Sequence, residues 1–345
     1  LGTAPGDTEA GPEEADAGPN TDAAPADAET GAEPEADADA EEEGDGEEES
    51  LLEQWRNTLL YGIDSQVEEL LPVLAQNDET RLNSEIESLL QQTFNSQLKA
   101  SIFEFFARVN DDAAVDEAAA VAESYRDEPA ELVRAALSYL RNGDFELPPE
   151  VTETIRPLTT DRVSGFAAPA ARLLGDKGGD ESVGVLLEAL DGASDSDLRG
   201  EIVLALGDLG SSEAVEPLIE IAGNDAANRL LRGYAADSLG RIGDERAIEV
   251  LRSMISSEDA LVRGYAVSAL SRFETEGVEQ ALMAAMRDSV WRVRELALQG
   301  VARNQMSQAI PAVKYKAERD PEERVRAQAF KTLAQLPGAE AAGFL

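Results

Sequence analysis

Arginine recurs at Arg199, Arg232, Arg263, Arg294 and Arg326, at intervals of 33, 31, 31 and 32 residues. Each opens a run rich in Ala, Leu and Val. A period near thirty means stacked copies of one small unit, each burying its apolar face on its neighbours. The clearest copy is Leu231–Ile255, LRGYAADSLGRIGDERAIEVLRSMI. Ala235, Ala236 and Leu239 share the inner face of a first helix, and Ile248, Val250, Leu251 and Met254 that of a second. Gly240 and Gly243 bracket the turn, where glycine suits the left-handed backbone that ends helices. Asp244 is placed to cap the second helix.

The preceding copy, Leu198–Ile221, carries Leu206, Gly207, Gly210, Val215 and Leu218 in the same places. Later copies open at Val262, Val293 and Val325. Going backwards, Phe166–Leu190 aligns on Gly175 and Gly178, with Ala167 where the arginine would stand. Further back the glycines fade, but helix pairs opening near Ser65, Gln97 and Glu131 keep the spacing. The pattern predicts about eight helical hairpins from Gly62 onward and a partial ninth ending at Leu345, with a frayed or truncated end. Residues 62–160 read as degenerate hairpins or as a separate helical domain, and 161–345 as the regular array.

Residues 1–49 contain no Lys or Arg and only Leu1 as a large apolar side chain. Ordering a residue costs roughly 1–2 kcal/mol of backbone entropy, which this composition cannot recover by burial. A disordered acidic leader is expected over 1–49, acting as a spacer or as an arm for a basic surface. A capping helix is expected over 50–61, begun by Ser50 with Glu53 completing a capping box. Leu51, Leu52, Trp55, Leu59 and Leu60 would share its apolar face. The first residue is Leu1, which points to a fragment or to a removed N-terminal segment, and a signal peptide is neither visible nor excluded.

The chain has 70 Asp and Glu against 29 Lys and Arg, a formal net charge of −41. From Leu51 onward the net charge is still −22, which argues against nucleic acid and anionic lipid as partners. Arginine outnumbers lysine 24 to 5; a salt-rich setting and high genomic GC content account for this equally well. With no Cys and no His, thiolate sites, disulfides and the commonest general base are absent. No acidic loop has EF-hand spacing. No apolar run is long enough to span a membrane.

The pattern at Arg232, Ala235, Leu239, Gly240, Gly243, Asp244, Ala247, Ile248 and Leu251 resembles the HEAT repeat, in the short form of the phycobilin-lyase-type HEAT-like repeat. The resemblance is specific over 163–345 and weaker over 51–162. It implies an all-α fold, an α-α superhelix or HEAT-like solenoid. Arg56–Leu71 is similar to the opening of some exported bacterial HEAT proteins, which favours an exported or periplasmic location over a cytoplasmic one. In this family such arginines commonly pair with a nearby aspartate between adjacent units. That implies a structural ladder of Arg199, Arg232, Arg263, Arg294 and Arg326 with Asp225, Asp259, Asp288 and Asp320, where an arginine array reading phosphate is the alternative.

Trp291 beside Arg292 and Arg294 is either a binding anchor or a seam filler, and Tyr234 and Tyr265, in equivalent places, read as packing. Residues 287–331 hold ten bases and six acids, so this section could receive an acidic partner segment or the leader, or its bases could belong to the ladder and ordinary surface. The functional expectation is a non-catalytic protein-interaction scaffold with a concave helical surface, binding a peptide or a folded domain. Candidate contact residues are Trp291, Arg292, Lys314, Lys316, Arg252, Glu216 and Glu249. No catalytic, cofactor or metal residues are assigned. The alternatives are an enzyme-associated protein of the chromophore-lyase type and an envelope-assembly or chaperone-like adaptor. Oligomeric state leaves no signal in the sequence.

Overall fold

The computed structural model describes residues 38–161, 163–338, 341 and 343. The chain divides into two units, the first ending at Leu51 and the second Leu52–Leu345. In the first unit the described residues are helical from Ala38, within α1 (Ala38–Tyr61). The helix thus begins twelve residues before the expected capping helix, and Ser50 lies inside it instead of at its N-cap. Six Glu and two Ala, both strong helix formers, outweigh Gly44 and Gly46 in this stretch, and acids suit a helix N-terminus. The rest of the expected leader, residues 1–37, lies outside the described residues.

In the second unit α1 sets Leu52, Trp55 and Leu59 against the core. Leu51 and Leu60, expected on the same face, are exposed. Eight hairpins follow among the described residues. They are α2 (Asp64–Gln76) with α3 (Asn83–Gln92), α4 (Ser96–Val109) with α5 (Val115–Glu123), α6 (Ala130–Asn142) with α7 (Pro149–Thr160), and α8 (Ala167–Lys177) with α9 (Glu181–Gly192). Then come α10 (Ser196–Leu209) with α11 (Val215–Gly223), α12 (Arg229–Ile242) with α13 (Ile248–Met254), α14 (Ala260–Leu270) with α15 (Glu276–Ala285), and α16 (Trp291–Arg303) with α17 (Ile310–Arg319). The last helix, α18 (Glu323–Gln335), opens a ninth unit.

First helices pack on first helices in one row, α2 through α18, and the second helices pack less continuously, α5 on α7, α7 on α9, α11 on α13 and α13 on α15. Residues 62–160 continue both rows: α6 packs on α8 and α7 on α9. They are therefore hairpins of the same α-α solenoid and not a separate domain.

The two glycines of each signature have different tasks. Gly210 and Gly243 adopt φ +69° and +74° and end α10 and α12 in the left-handed region. Ser211 and Asp244 then accept from the backbone amides of Glu213 and Arg246, opening a 3-10 turn ahead of the second helix. Gly240, expected to bracket that turn, sits inside α12. A Cβ there would lie 2.8 Å from the Cα of Ala269 in α14. Gly207 meets Ser238, and Gly175 meets Ala205, in the same way. These glycines let consecutive first helices approach to backbone contact.

Candidate protein-binding surface

The arginines of the signature lie at the seams between hairpins, where they join each unit to the next. Arg263 donates from Nε and Nη2 to the carboxylate of Asp288, at 2.7 and 2.9 Å, and from Nη1 to the carbonyls of Ser257 and Glu258. Arg294 repeats the geometry one unit later, with Asp320 at 2.9 and 2.6 Å and the carbonyls of Asp288 and Ser289. Arg326 donates to the carbonyls of Asp320 and Pro321. Asp288 and Asp320 therefore each hold two arginines, the previous unit's through the carboxylate and their own unit's through the backbone. Such forked pairs are directional as well as strong.

The ladder thus differs from the expected one in register. Asp288 pairs with Arg263 and not with Arg294, and Asp320 pairs with Arg294 and not with Arg326. The acid comes from the following hairpin, 25 or 26 residues on. Asp225 does pair with Arg232, at 2.8 Å. Asp259 is the N-cap of α14, accepting from Leu261, with Arg229 at 3.6 Å. Arg199 donates to the carbonyls of Leu190 and Ala193; Ala193 stands six residues ahead of it, where Asp288 stands ahead of Arg294.

The seam chemistry sets the protonation of its acids. Burial would raise the Asp320 carboxyl, but Arg294, Lys316 and the Glu322 amide outweigh it and hold it at about 2. Asp288 is likewise lowered: burial opposes the shift, and Arg263 and the Val290 amide carry it.

A second ionic row runs along the first helices, and it was missed in the sequence. Arg141 pairs with Asp176 and Arg172 with Glu201. Asp208 and Asp237 both meet Arg241, and Asp237 also meets Arg272 at 2.9 Å. Arg303 donates to Ser271 Oγ at 3.0 Å. The 31-residue recurrence of Arg241, Arg272 and Arg303 was the available signal.

The candidate contact residues separate into two groups. Trp291 is half-buried at the start of α16, and the guanidinium over its ring is that of Arg324 at 5.2 Å, not a neighbouring arginine. Arg292 pairs with Glu295. Lys316 reaches Asp320 at 3.0 Å, so it belongs to the seam and is not a free surface cation. Lys314 is half-buried. Much of the C-terminal basic section is thereby tied into the fold. Tyr234 and Tyr265 pack edge to face, 6.1 Å apart, each over the glycine of the previous unit, Gly200 and Gly233.

The second group faces solvent on successive second helices. Glu216 and Glu249 are exposed, Glu216 with Arg246 at 3.2 Å and Glu249 with Arg252 at 3.8 Å. Glu188 on α9 and Glu220 on α11 are exposed as well. From α9 to α13 this row presents Glu188, Glu216, Glu220 and Glu249 against Arg246 and Arg252. Among the described residues no cluster of His, Cys, Asp or Glu is arranged to hold a metal, and no helix is long and apolar enough to cross a membrane.

Residues 59–345 match the family model of spirochaete HEAT repeat proteins. No curated protein matches the chain. Among solved structures, the karyopherin Kap121p bound to the extreme C-terminus of the protein phosphatase Cdc14p aligns with TM-score 0.55 and 14% identity, over 85% of this chain and 38% of that one. Kap121p bound to Nup53p gives the same values. An engineered protein aligns with TM-score 0.43 and 17% identity, over 85% of this chain and 90% of its own.

Proposed function

Because this chain belongs to the spirochaete HEAT repeat protein family, we propose that it is a non-catalytic scaffold whose second-helix face binds a basic segment of a partner protein. The observation that carries this reading is the run of exposed carboxylates on α9, α11 and α13. Packed helices lie about 8–10 Å apart, and an extended chain advances about 3.3 Å per residue. An extended partner with Lys or Arg at roughly every third residue would meet one acidic helix after another. Kap121p, a structure of similar fold, is bound to the extreme C-terminus of another protein, which supports a peptide-binding use of the fold. Without His or Cys the chain has neither the commonest general base nor a thiolate.

The test is the triple variant Glu216→Lys, Glu220→Lys, Glu249→Lys, titrated with a fluorescein-labelled peptide bearing Lys at every third residue. All three positions are exposed, so the fold is retained. Affinity for the peptide falls at least about ten-fold, since reversing charge across an interface costs several kcal/mol. Equal affinity in parent and variant contradicts the proposal.

A further inference from the structure

The first-helix row opens in its N-terminal part. Between α8 and α14 it is closed by Gly175, Gly207 and Gly240, at each of which a Cβ would come within 2.9 Å of the next helix. The corresponding places in α2, α4 and α6, three residues ahead of Asp78, Asn110 and Gly143, are Ala75, Ala107 and Leu140. None of the three is glycine, and between these helices lies an open groove of about 530 Å³ whose lining includes Ala75, Ala107 and Asn142.

The groove has a floor of small side chains, partly apolar and partly polar through Ser101, Ser138 and Asn142, and a charged rim. Leu71, Phe105 and Tyr139 are buried beneath it, and Pro72, Ala107 and Ala135 border it. Small side chains over a large buried base leave room for the bulky apolar side chains of an occupant. Glu68 and Glu104 stand at the rim, and neither has an ion-pair or hydrogen-bonding side-chain partner among the described residues. Elsewhere in the same row Asp176, Glu201, Asp208 and Asp237 are all neutralised by arginines. Pro72, inside α2, has no N–H to give the carbonyl of Glu68, which adds a further acceptor beside the Glu68 side chain. Arg108, one turn along α4 from Glu104, also has no side-chain partner among the described residues.

We infer that the groove across α2, α4 and α6 is a docking site for one amphipathic helix of a partner protein, its apolar face on the floor and its flanking Lys or Arg against Glu68 and Glu104. Apolar anchors in such grooves follow i, i+3, i+4, i+7 spacing. Arg108 favours the negative, C-terminal end of the incoming helix. This site is separate from the second-helix face, and neither reading depends on the other.

The probe is a labelled Leu/Lys peptide with leucine at that helical spacing, beside a Leu/Glu peptide of the same pattern, titrated against the full chain. The Leu/Lys peptide binds and the Leu/Glu peptide does not. Glu104→Lys, at an exposed position, weakens binding by roughly ten-fold, as does Ala107→Trp, which fills the floor. The circular dichroism of both variants matches the parent. The triple variant of the second-helix face binds the Leu/Lys peptide as the parent does. Binding unchanged by Glu104→Lys and Ala107→Trp, equal binding of the Leu/Glu peptide, or loss of binding in the triple variant would each overturn the assignment.

Discussion

The N-terminal and C-terminal hairpins share one architecture but are joined by different chemistry. Between α4 and α6 the space between hairpins is filled by aromatic side chains. Phe103 stacks on Tyr139 with centroids 5.8 Å apart, Tyr139 lies 5.3 Å from Phe145, and the Tyr139 hydroxyl donates to the carbonyl of Asp111 at 2.8 Å. From α14 to α18 the seams are held by the relay Arg263–Asp288–Arg294–Asp320–Arg326. An aromatic seam depends on apolar area and shape; an ionic seam depends on every charge keeping its partner. The same hairpin stack therefore carries two distinct points of failure.

The sharpest way to separate the halves is to remove one member from each. Arg294→Ala leaves the fully buried Asp320 carboxylate without its forked partner and costs about 3–5 kcal/mol. Phe103→Ala, fully buried in α4 against Tyr139, costs about 3–5 kcal/mol by cavity formation. Denaturant unfolding reports both losses. Hydrogen exchange places the first in α16–α18 and the second in α2–α6, because repeat arrays couple mainly to nearest neighbours. Losses spread evenly over the stack would erase the distinction.

Acid tests the ionic half. Asp320 titrates at about 2 in the folded chain, below its ordinary 3.8. The stability it contributes is present above pH 4 and is lost as pH falls from about 4 towards 2, amounting to about 2 kcal/mol. Asp161, held at about 2 first by the Tyr125 hydroxyl and then by the Val163 amide, makes the turn before α8 sensitive in the same window. The aromatic seam between α4 and α6 changes least over that range. Exchange rates measured between pH 5 and pH 2.5, corrected for intrinsic chemistry, give the order.

Smaller effects come from glycine. Gly240→Ala drives a methyl group against the backbone of α14 and destabilises by about 1–2 kcal/mol, overpacking outweighing the gain in helix propensity. Gly184→Ala in α9 meets nothing within 4 Å and stabilises by about 0.5–1 kcal/mol. Thermal melts of the two variants should move in opposite directions.

The periodic part of the fold was readable because each hairpin buries its own signature, so Arg232, Leu239 and Leu251 report the unit wherever they recur. Function within the signature was less readable. Gly240 and Gly243 look alike in a string, but one faces a helix and the other makes a turn. The partner of Arg263 is Asp288, not the closer Asp259, since stacking brings the following hairpin's acid alongside. The second ionic row escaped notice because Asp176, Asp208 and Asp237 do not all hold one repeat position. Between α4 and α6 the seam uses Phe103, Tyr139 and Phe145 instead of the signature glycine and arginine, while the spacing is kept. Of the candidate contact residues, Glu216 and Glu249 are on the surface as expected, whereas Lys316 and Trp291 are engaged by Asp320 and Arg324, residues of the last loop and last helix.

The direct test of the two-seam account is site-resolved hydrogen exchange on Arg294→Ala beside the parent chain at neutral pH. Faster exchange confined to α16, α17 and α18, with α2–α7 at parent rates, is the predicted result. Parent rates throughout, or uniform acceleration from α2 to α18, would contradict it.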